Sequence, residues 1–201
     1  MKRRITLLAC LTLGMMSIAQ STKVAGIDEA LKAVVYDILD LAAEQNIAEL
    51  DKKYVYEPYG VYDVFRIGVP DTFKSHNSLG FAFPTETYSS VYPNLSEVTS
   101  ETSEQAFMRY NAAYDCNEME WDKNGLFVTD SLSYPKLSEL IQQPVFETSE
   151  FPESFHLQAK YIEENSYRVV VTEFDIIFYL THIEGRWYLT LFDRVTTDCS
   201  A

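Results

Sequence analysis

The sequence is short of basic residues, glycine and histidine, and each shortage excludes a class of function. Lys and Arg number 16 against 30 Asp and Glu, which gives a formal net charge of −14 at pH 7. Nucleic acids and anionic membrane surfaces bind proteins that carry a basic patch, and a chain this acidic offers little basis for one. We therefore predict no nucleic-acid partner. The seven glycines form no phosphate-binding loop, dinucleotide fingerprint or nucleophile elbow.

The three histidines, His76, His156 and His182, lie too far apart in the sequence to form a local metal-binding pair. His76 falls in an irregular stretch, and the other two fall near predicted strand ends. We therefore predict no metal site and no cofactor, and we interpret each histidine as a surface residue.

Residues 1–19 have the pattern of an export signal. Basic residues open the chain, an apolar run too short to span a bilayer follows, and Ser17 and Ala19 are the small residues before a cleavage site. Cleavage would leave Gln20 first and place the protein in the periplasm or outside the cell. A lipoprotein signal is the alternative, because Cys10 ends a loose lipobox. The apolar run before Cys10 is short, so we favour the cleaved signal, and no other segment approaches transmembrane length.

Two cysteines, Cys116 and Cys199, remain after such cleavage. In an oxidising compartment a pair of cysteines favours one disulfide, which would tie the chain end to its middle. By the entropy of loop closure this bridge would stabilise the fold by about 4 kcal/mol. Two free thiols are the alternative.

Residues 20–201 are of the size of a single domain. Apolar residues at steps of three and four predict a helix over about residues 26–45, and Asn46 is placed to cap a short second helix ending near Lys53. Period-two alternation then predicts a strand at 61–67.

The middle of the chain predicts less regular structure. Residues 69–100 contain three prolines but are too apolar for a disordered linker, so we expect an ordered, irregular insert with a short strand at 79–83. A short helix at 102–111, a hairpin at 119–128 and a further helix opening near Pro135 follow.

The C-terminal part predicts three antiparallel strands at about 155–163, 167–182 and 187–191, with a bend or bulge near Glu173. Such a meander needs a cover, and the N-terminal helix pair is the candidate for it. The predicted class is α+β, with the helix pair packed on a curved antiparallel sheet that ends in the meander.

This order of elements resembles the nuclear transport factor 2-like (cystatin-like) cone. Residues 60–68 (GVYDVFRIG) and 115–128 (DCNEMEWDKNGLFV) also resemble stretches of exported Bacteroidetes proteins of unknown function. The resemblance implies a curved sheet around a long helix, with a pocket at the open end. It implies no activity, because that fold hosts enzymes, binders and interaction modules alike.

Glu173, Asp175 and Tyr179 are the candidate catalytic residues. Their shared parity puts them on one polar face of a central strand, and enzymes of this cone shape use a carboxylate and a tyrosine for proton transfer. A buried carboxylate would have a raised pKa, as a general base requires. The alternative, which we favour, is that this face meets solvent or that the acids pair with Arg168 or Arg194.

Three functions are compatible with these observations. We favour an exported, non-catalytic module that binds a small molecule or a protein partner through the cone mouth and the 69–100 insert. A small isomerase or hydrolase using Glu173 or Asp175 with Tyr179 is the alternative, and an envelope protein without a ligand is the third. The sequence identifies neither the ligand nor the oligomeric state.

Native mass spectrometry of the protein from its own envelope fraction tests the predictions on export and on the bridge. We expect a mass that begins at Gln20 and is short by two hydrogens, because a disulfide removes one from each thiol. A covalent lipid on Cys10, or two thiols that react with a blocking reagent, would contradict these predictions.

Overall fold

The computed structural model describes residues 29–66, 68, 70–83, 94–130, 135–142 and 151–200. The predicted export signal and Cys10 lie outside these residues. The helices and strands, in chain order, are α1 (Glu29–Ala43), α2 (Ile47–Tyr54), β1 (Val61–Arg66), β2 (Asp71–His76), β3 (Phe107–Arg109), β4 (Tyr114–Asp115), β5 (Glu120–Trp121), β6 (Leu126–Thr129), α3 (Leu137–Leu140), α4 (Glu153–Asn165), β7 (Ser166–Val171), β8 (Ile176–Ile183) and β9 (Arg186–Asp193). Short 3-10 helices cover Leu79–Ala82, Leu95–Glu97, Thr102–Glu104 and Thr172–Phe174.

Among the described residues, a seven-stranded sheet has the order β2-β1-β9-β8-β7-β6-β3. The pairs β1–β9 and β3–β6 are parallel, and the other neighbours are antiparallel. The α+β class, with helices first and strands after, is therefore confirmed. The sheet is mixed, whereas the sequence pattern predicted an antiparallel one.

The N-terminal helix pair packs on one face of this sheet. Leu31, Val35 and Ile38 of α1 are fully buried, at the three- and four-residue spacing that predicted the helix. Asn46 caps α2 as predicted, because its Oδ1 accepts a hydrogen bond from the Glu49 backbone N at 3.3 Å. We call the side of the sheet that α1 and α2 cover the α1 face.

The C-terminal meander is present, but its strands are β7, β8 and β9. The predicted long strand at 167–182 is two strands, joined by the 3-10 helix Thr172–Phe174 and by Asp175. This turn lies at the predicted bend near Glu173. A long apolar run can thus hide a tight turn, because residues on both sides of it are buried.

The predicted strand at 155–163 is wrong, because this segment is helix α4. Phe155, Ala159 and Ile162 recur at steps of four and three and face the sheet, while Leu157 and Tyr161 point outward. Phe155 and Ala159 are four residues apart, a spacing that places both on one face of either a strand or a helix. The period-two pattern was therefore misleading here. Helix α4 and helix α3 cover the second side of the sheet, which we call the α4 face.

The predicted structure of the 69–100 insert is also corrected. Its first described part contains β2, which pairs with β1 along six residues and so belongs to the sheet. Residues 79–82 form a 3-10 helix instead of the predicted strand. Leu79, Ala82 and Leu95 are fully buried in the core of the α1 face, and residues 84–93 lie outside the described residues.

Two local predictions before α3 are wrong as well. The segment 102–111 contains a 3-10 helix followed by β3, not one helix. Strands β5 and β6 both form, but they do not pair with each other: β5 pairs with β4, and β6 lies between β3 and β7. The turn at 122–125 therefore connects two different sheets.

The disulfide joins Cys116 to Cys199, with the two Cα atoms 5.4 Å apart and a sequence separation of 83. This confirms the predicted pairing. The bridge fastens the tail after β9 to the β4–β5 hairpin. Within the described residues, no helix is long and apolar enough to cross a membrane.

The helical assignment of α4 predicts unequal effects for two apolar residues on it. The substitution Ile162→Ala should lower the free energy of unfolding by about 2–4 kcal/mol, because it leaves a cavity against the sheet. The substitution Leu157→Ala should change it by less than about 0.5 kcal/mol, because that side chain is exposed. Urea unfolding measures both, and equal losses would contradict the assignment.

Candidate functional site

Glu173 and Asp175, the carboxylates of the predicted proton-transfer site, lie in the turn between β7 and β8. Glu173 is exposed and accepts a hydrogen bond from Gln105 Nε2 at 2.9 Å. Asp175 is half-buried with a φ of 54°, and its Oδ1 accepts a hydrogen bond from Trp121 Nε1 at 2.7 Å. Both carboxylates therefore lie in the turn instead of along the strand, and each accepts a hydrogen bond from a side chain of another segment.

Tyr179, the third candidate, lies inside β8 and is 2% exposed. Burial raises the pKa of its phenol, the Asp193 carboxylate adds to the rise, and Arg168 opposes it. Four residues of extended chain separate Tyr179 from Asp175, which is about 13 Å. The structure thus leaves these candidates at separate positions, with the phenol enclosed in the core of the α4 face.

Arg168 is the charged centre of that core. Its side chain is 2% exposed, its Nη1 donates to the Ala112 carbonyl at 3.0 Å, and its guanidinium carbon lies 5.9 Å from the centroid of the Trp121 ring. Its Nε is the buried side-chain atom for which the described residues supply no hydrogen-bond partner. The nearby Asp193 accepts hydrogen bonds from the backbone N atoms of Val195 and Thr196, both at 3.0 Å.

Burial raises the pKa of Asp193 above its ordinary value, although these hydrogen bonds and Arg168 oppose the rise. Arg168, Tyr179 and Asp193 thus form a buried polar cluster that joins β7, β8 and β9. Arg168 donates to the Ala112 carbonyl and Asp193 is held by Val195 and Thr196, so the cluster has the geometry of a structural network.

A second carboxylate approaches Asp175 from the segment before β3. Glu97 accepts a hydrogen bond from Asn94 Nδ2 at 2.7 Å. Burial raises the pKa of Glu97, and the charge of Asp175 adds to the rise. Glu97 was not among the predicted site residues, because it lies far from Asp175 in the sequence and only the fold brings the two carboxylates near each other.

A third polar cluster lies on the α1 face, near the β2 edge. Arg194 Nε donates to Asp63 Oδ1 at 2.6 Å, and the ring of His76 stacks on Phe81 at 4.1 Å between centroids. Burial lowers the pKa of His76, against the effect of the Asp63 carboxylate. The predicted surface position of His76 is therefore corrected: its ring is half-buried in this cluster.

A ladder of aromatic rings lies on the α4 side of the protein, beside the β8–β9 turn. The ring centroids are 5.1 Å apart for Tyr188 and Tyr56, 5.2 Å for Tyr56 and Tyr59, and 6.4 Å for Tyr59 and Tyr161. Leu157 lies one helical turn before Tyr161 and extends the ladder along α4. We call these five side chains the tyrosine surface.

The tyrosine surface is open to solvent and yet held in place. Leu157 is 64% exposed and Tyr161 37%, while the other three side chains are half-buried. The Tyr161 hydroxyl donates to the His182 carbonyl at 3.0 Å, and Gln158 Nε2 donates to the Tyr59 carbonyl at 3.3 Å. Large apolar side chains that remain exposed in fixed positions are characteristic of interaction sites.

Charged residues of both signs lie near the tyrosine surface. Glu57, Glu184 and Arg186 are all exposed. The guanidinium carbon of Arg186 lies 5.3 Å from the centroid of the Tyr188 ring. Burial raises the pKa of Tyr56, and the nearby Glu184 carboxylate adds to the rise.

The sequence analysis did not predict this surface. A signal was present in the four tyrosines between residues 54 and 62, grouped around Pro58. Leu157 and Tyr161 lie in the segment predicted as a strand at 155–163, so the error in the secondary structure concealed their exposure.

The described part of the chain contains no cluster of metal ligands. No three of its His, Cys, Asp and Glu side chains form a group that could hold a metal ion.

Comparison with known proteins found no match: no family model, no curated protein and no solved structure is significantly similar to the chain. The resemblance to the nuclear transport factor 2-like cone therefore stays a prediction.

The His76 environment predicts a loss of stability on acidification. The pKa of this ring is lower in the folded protein than its ordinary value of 6.5, so the unfolded chain binds the proton more tightly. The free energy of unfolding should fall as the pH drops from above 6.5 through the folded pKa of His76. Urea unfolding across this range measures the effect, which His76→Gln should reduce and His182→Gln should preserve. An NMR titration midpoint of His76 above 6.5 would contradict this prediction.

Proposed function

We propose that this chain is a non-catalytic binding module of an exported protein and that it binds a protein partner through the tyrosine surface. The observation that carries the proposal is the exposure of Leu157 and Tyr161 at the end of an ordered ladder of rings. Tyrosine and other aromatic residues are enriched in protein–protein interfaces and at their energetic centres. Because Leu157 and Tyr161 lie outside the buried core, their exposed surface adds little to the stability of the fold.

The placement of the candidate catalytic residues supports a non-catalytic role. A general base and a second proton-transfer group must reach the same substrate within hydrogen-bond distance. Asp175 accepts the Trp121 indole N–H, and Tyr179 is enclosed beside Arg168 and Asp193. A small isomerase or hydrolase that uses these groups has no further observation in its favour.

The disulfide supports the exported part of the proposal. Bridges such as Cys116–Cys199 form and persist in oxidising compartments. The basic and apolar pattern of residues 1–19 agrees with export to the periplasm or beyond. The proposal includes cleavage before Gln20 and no lipid on Cys10.

The binding surface that we propose differs from the cone mouth and the 69–100 insert. The described parts of that insert contribute β2 to the sheet and Leu79, Leu95 and Val98 to the core of the α1 face. These contacts support the fold. The tyrosine surface lies on the other side, where the rings of β9 and α4 meet solvent.

Site-directed photo-cross-linking in the producing cells tests the proposal. A photoreactive p-benzoylphenylalanine in place of Leu157 should give one discrete cross-linked partner. The additional substitution Tyr161→Ala should reduce that product at least about fivefold, because an interface tyrosine commonly contributes more than about 1 kcal/mol.

The matched control is the same photoreactive residue at Met119, which is 62% exposed compared with 64% for Leu157. It should give no such product. Products of equal yield at both positions, or a product at 157 that does not depend on Tyr161, would overturn the proposed function.

A further inference from the structure

We infer that the partner segment recognised by the tyrosine surface is basic, with lysine or arginine side chains lying against its rings. This inference rests on the proposed function and specifies the chemistry of the partner. Its basis is the combination of electron-rich rings, bordering carboxylates and the charge of the whole chain.

The surface already holds one cation against a ring. Arg186 is exposed, yet its guanidinium carbon lies 5.3 Å from the Tyr188 centroid and its Nη2 donates to the Lys53 carbonyl at 3.4 Å. A cation within about 6 Å of a ring centroid is attracted by the negative face of the ring. The same attraction is available to a partner cation at the neighbouring rings of the ladder.

The carboxylate of Glu184 makes that attraction stronger. Glu184 lies close enough to Tyr56 and Tyr59 for its charge to add to the rise that burial causes in the pKa of both phenols. A carboxylate beside these rings makes the local potential more negative and so favours a cation there. Glu57, which is exposed and follows Tyr56 in the sequence, supplies a second carboxylate with which a partner cation could pair after contact.

The net charge of the chain favours the same partner at longer range. With a formal charge of −14, the protein attracts a basic segment and repels an acidic one before contact. This field selects the sign of the partner's charge but not the place of contact. The rings and Glu184 supply the place.

A peptide titration followed by NMR tests the inference on the full exported chain. The probe is the capped heptapeptide Gly-Arg-Gly-Lys-Gly-Arg-Gly, and the comparison is the same peptide with glutamate at the three charged positions. We expect the basic peptide to shift the ring signals of Tyr56, Tyr59, Tyr161 and Tyr188, and the acidic peptide to leave them unchanged.

Two variants with the same change of net charge separate local from global attraction. The substitution Glu184→Gln should weaken binding of the basic peptide about two- to fivefold, the range of an exposed cation–aromatic contact. The substitution Glu118→Gln, at an exposed position on the β4–β5 hairpin, should leave binding nearly unchanged.

Equal effects of these two variants, equal binding of both peptides, or shifts that map to the β4–β5 hairpin instead of the tyrosines would overturn the inference. The proposed function would then still stand if the cross-link at position 157 depended on Tyr161. Loss of that cross-link would overturn the proposed function by itself, whatever the peptides do.

Discussion

The fold depends on a meander that is apolar on both faces. Strands β7, β8 and β9 alternate so that Val169 and Phe178 face one side while Val170 and Ile177 face the other, and all four are buried. An antiparallel sheet can leave one face to solvent, but this one cannot, so the chain must supply a helical layer for each. Helices α1 and α2 come before the sheet, and α3 and α4 come between its strands. The disulfide then fastens the tail that follows the last strand.

Burial on both faces also encloses charge. Arg168, Asp193 and Arg194 are each less than 5% exposed, and burying an unpaired charge would cost several kcal/mol. Arg194 meets the Asp63 carboxylate, whereas Asp193 is held by backbone N–H groups with Arg168 nearby. Arg168 is the least satisfied of the three, because its Nε has no hydrogen-bond partner among the described residues. Removing one partner of such a group would leave the other charge buried and unpaired, which is strongly destabilising.

The sequence predicted features that a local pattern determines, and it failed where tertiary packing decides. The Asn46 cap is a contact between residues three apart in the sequence, so it was predictable. The disulfide was predictable because only two cysteines remain after the predicted cleavage. Helix α4 was missed because Phe155 and Ala159 fit either period, and only the sheet beneath it selects the helical one. The candidate acids were chosen by strand parity, which a turn at Asp175 interrupts. Exposure of Tyr161 could not be inferred, since it depends on the orientation of that helix.

The rigidity of the tyrosine surface bears on its suitability for binding. Each ring leans on a neighbouring ring, Tyr161 is anchored to the His182 carbonyl, and Gln158 holds the Tyr59 backbone. Side chains ordered before binding lose little rotamer freedom on binding, so more of the contact energy appears as affinity. Leu157 has no such anchor and is the most exposed of the five. A partner would therefore gain most from the fixed rings and from Glu184 beside them, while the acidic field of the whole chain mainly increases its rate of association.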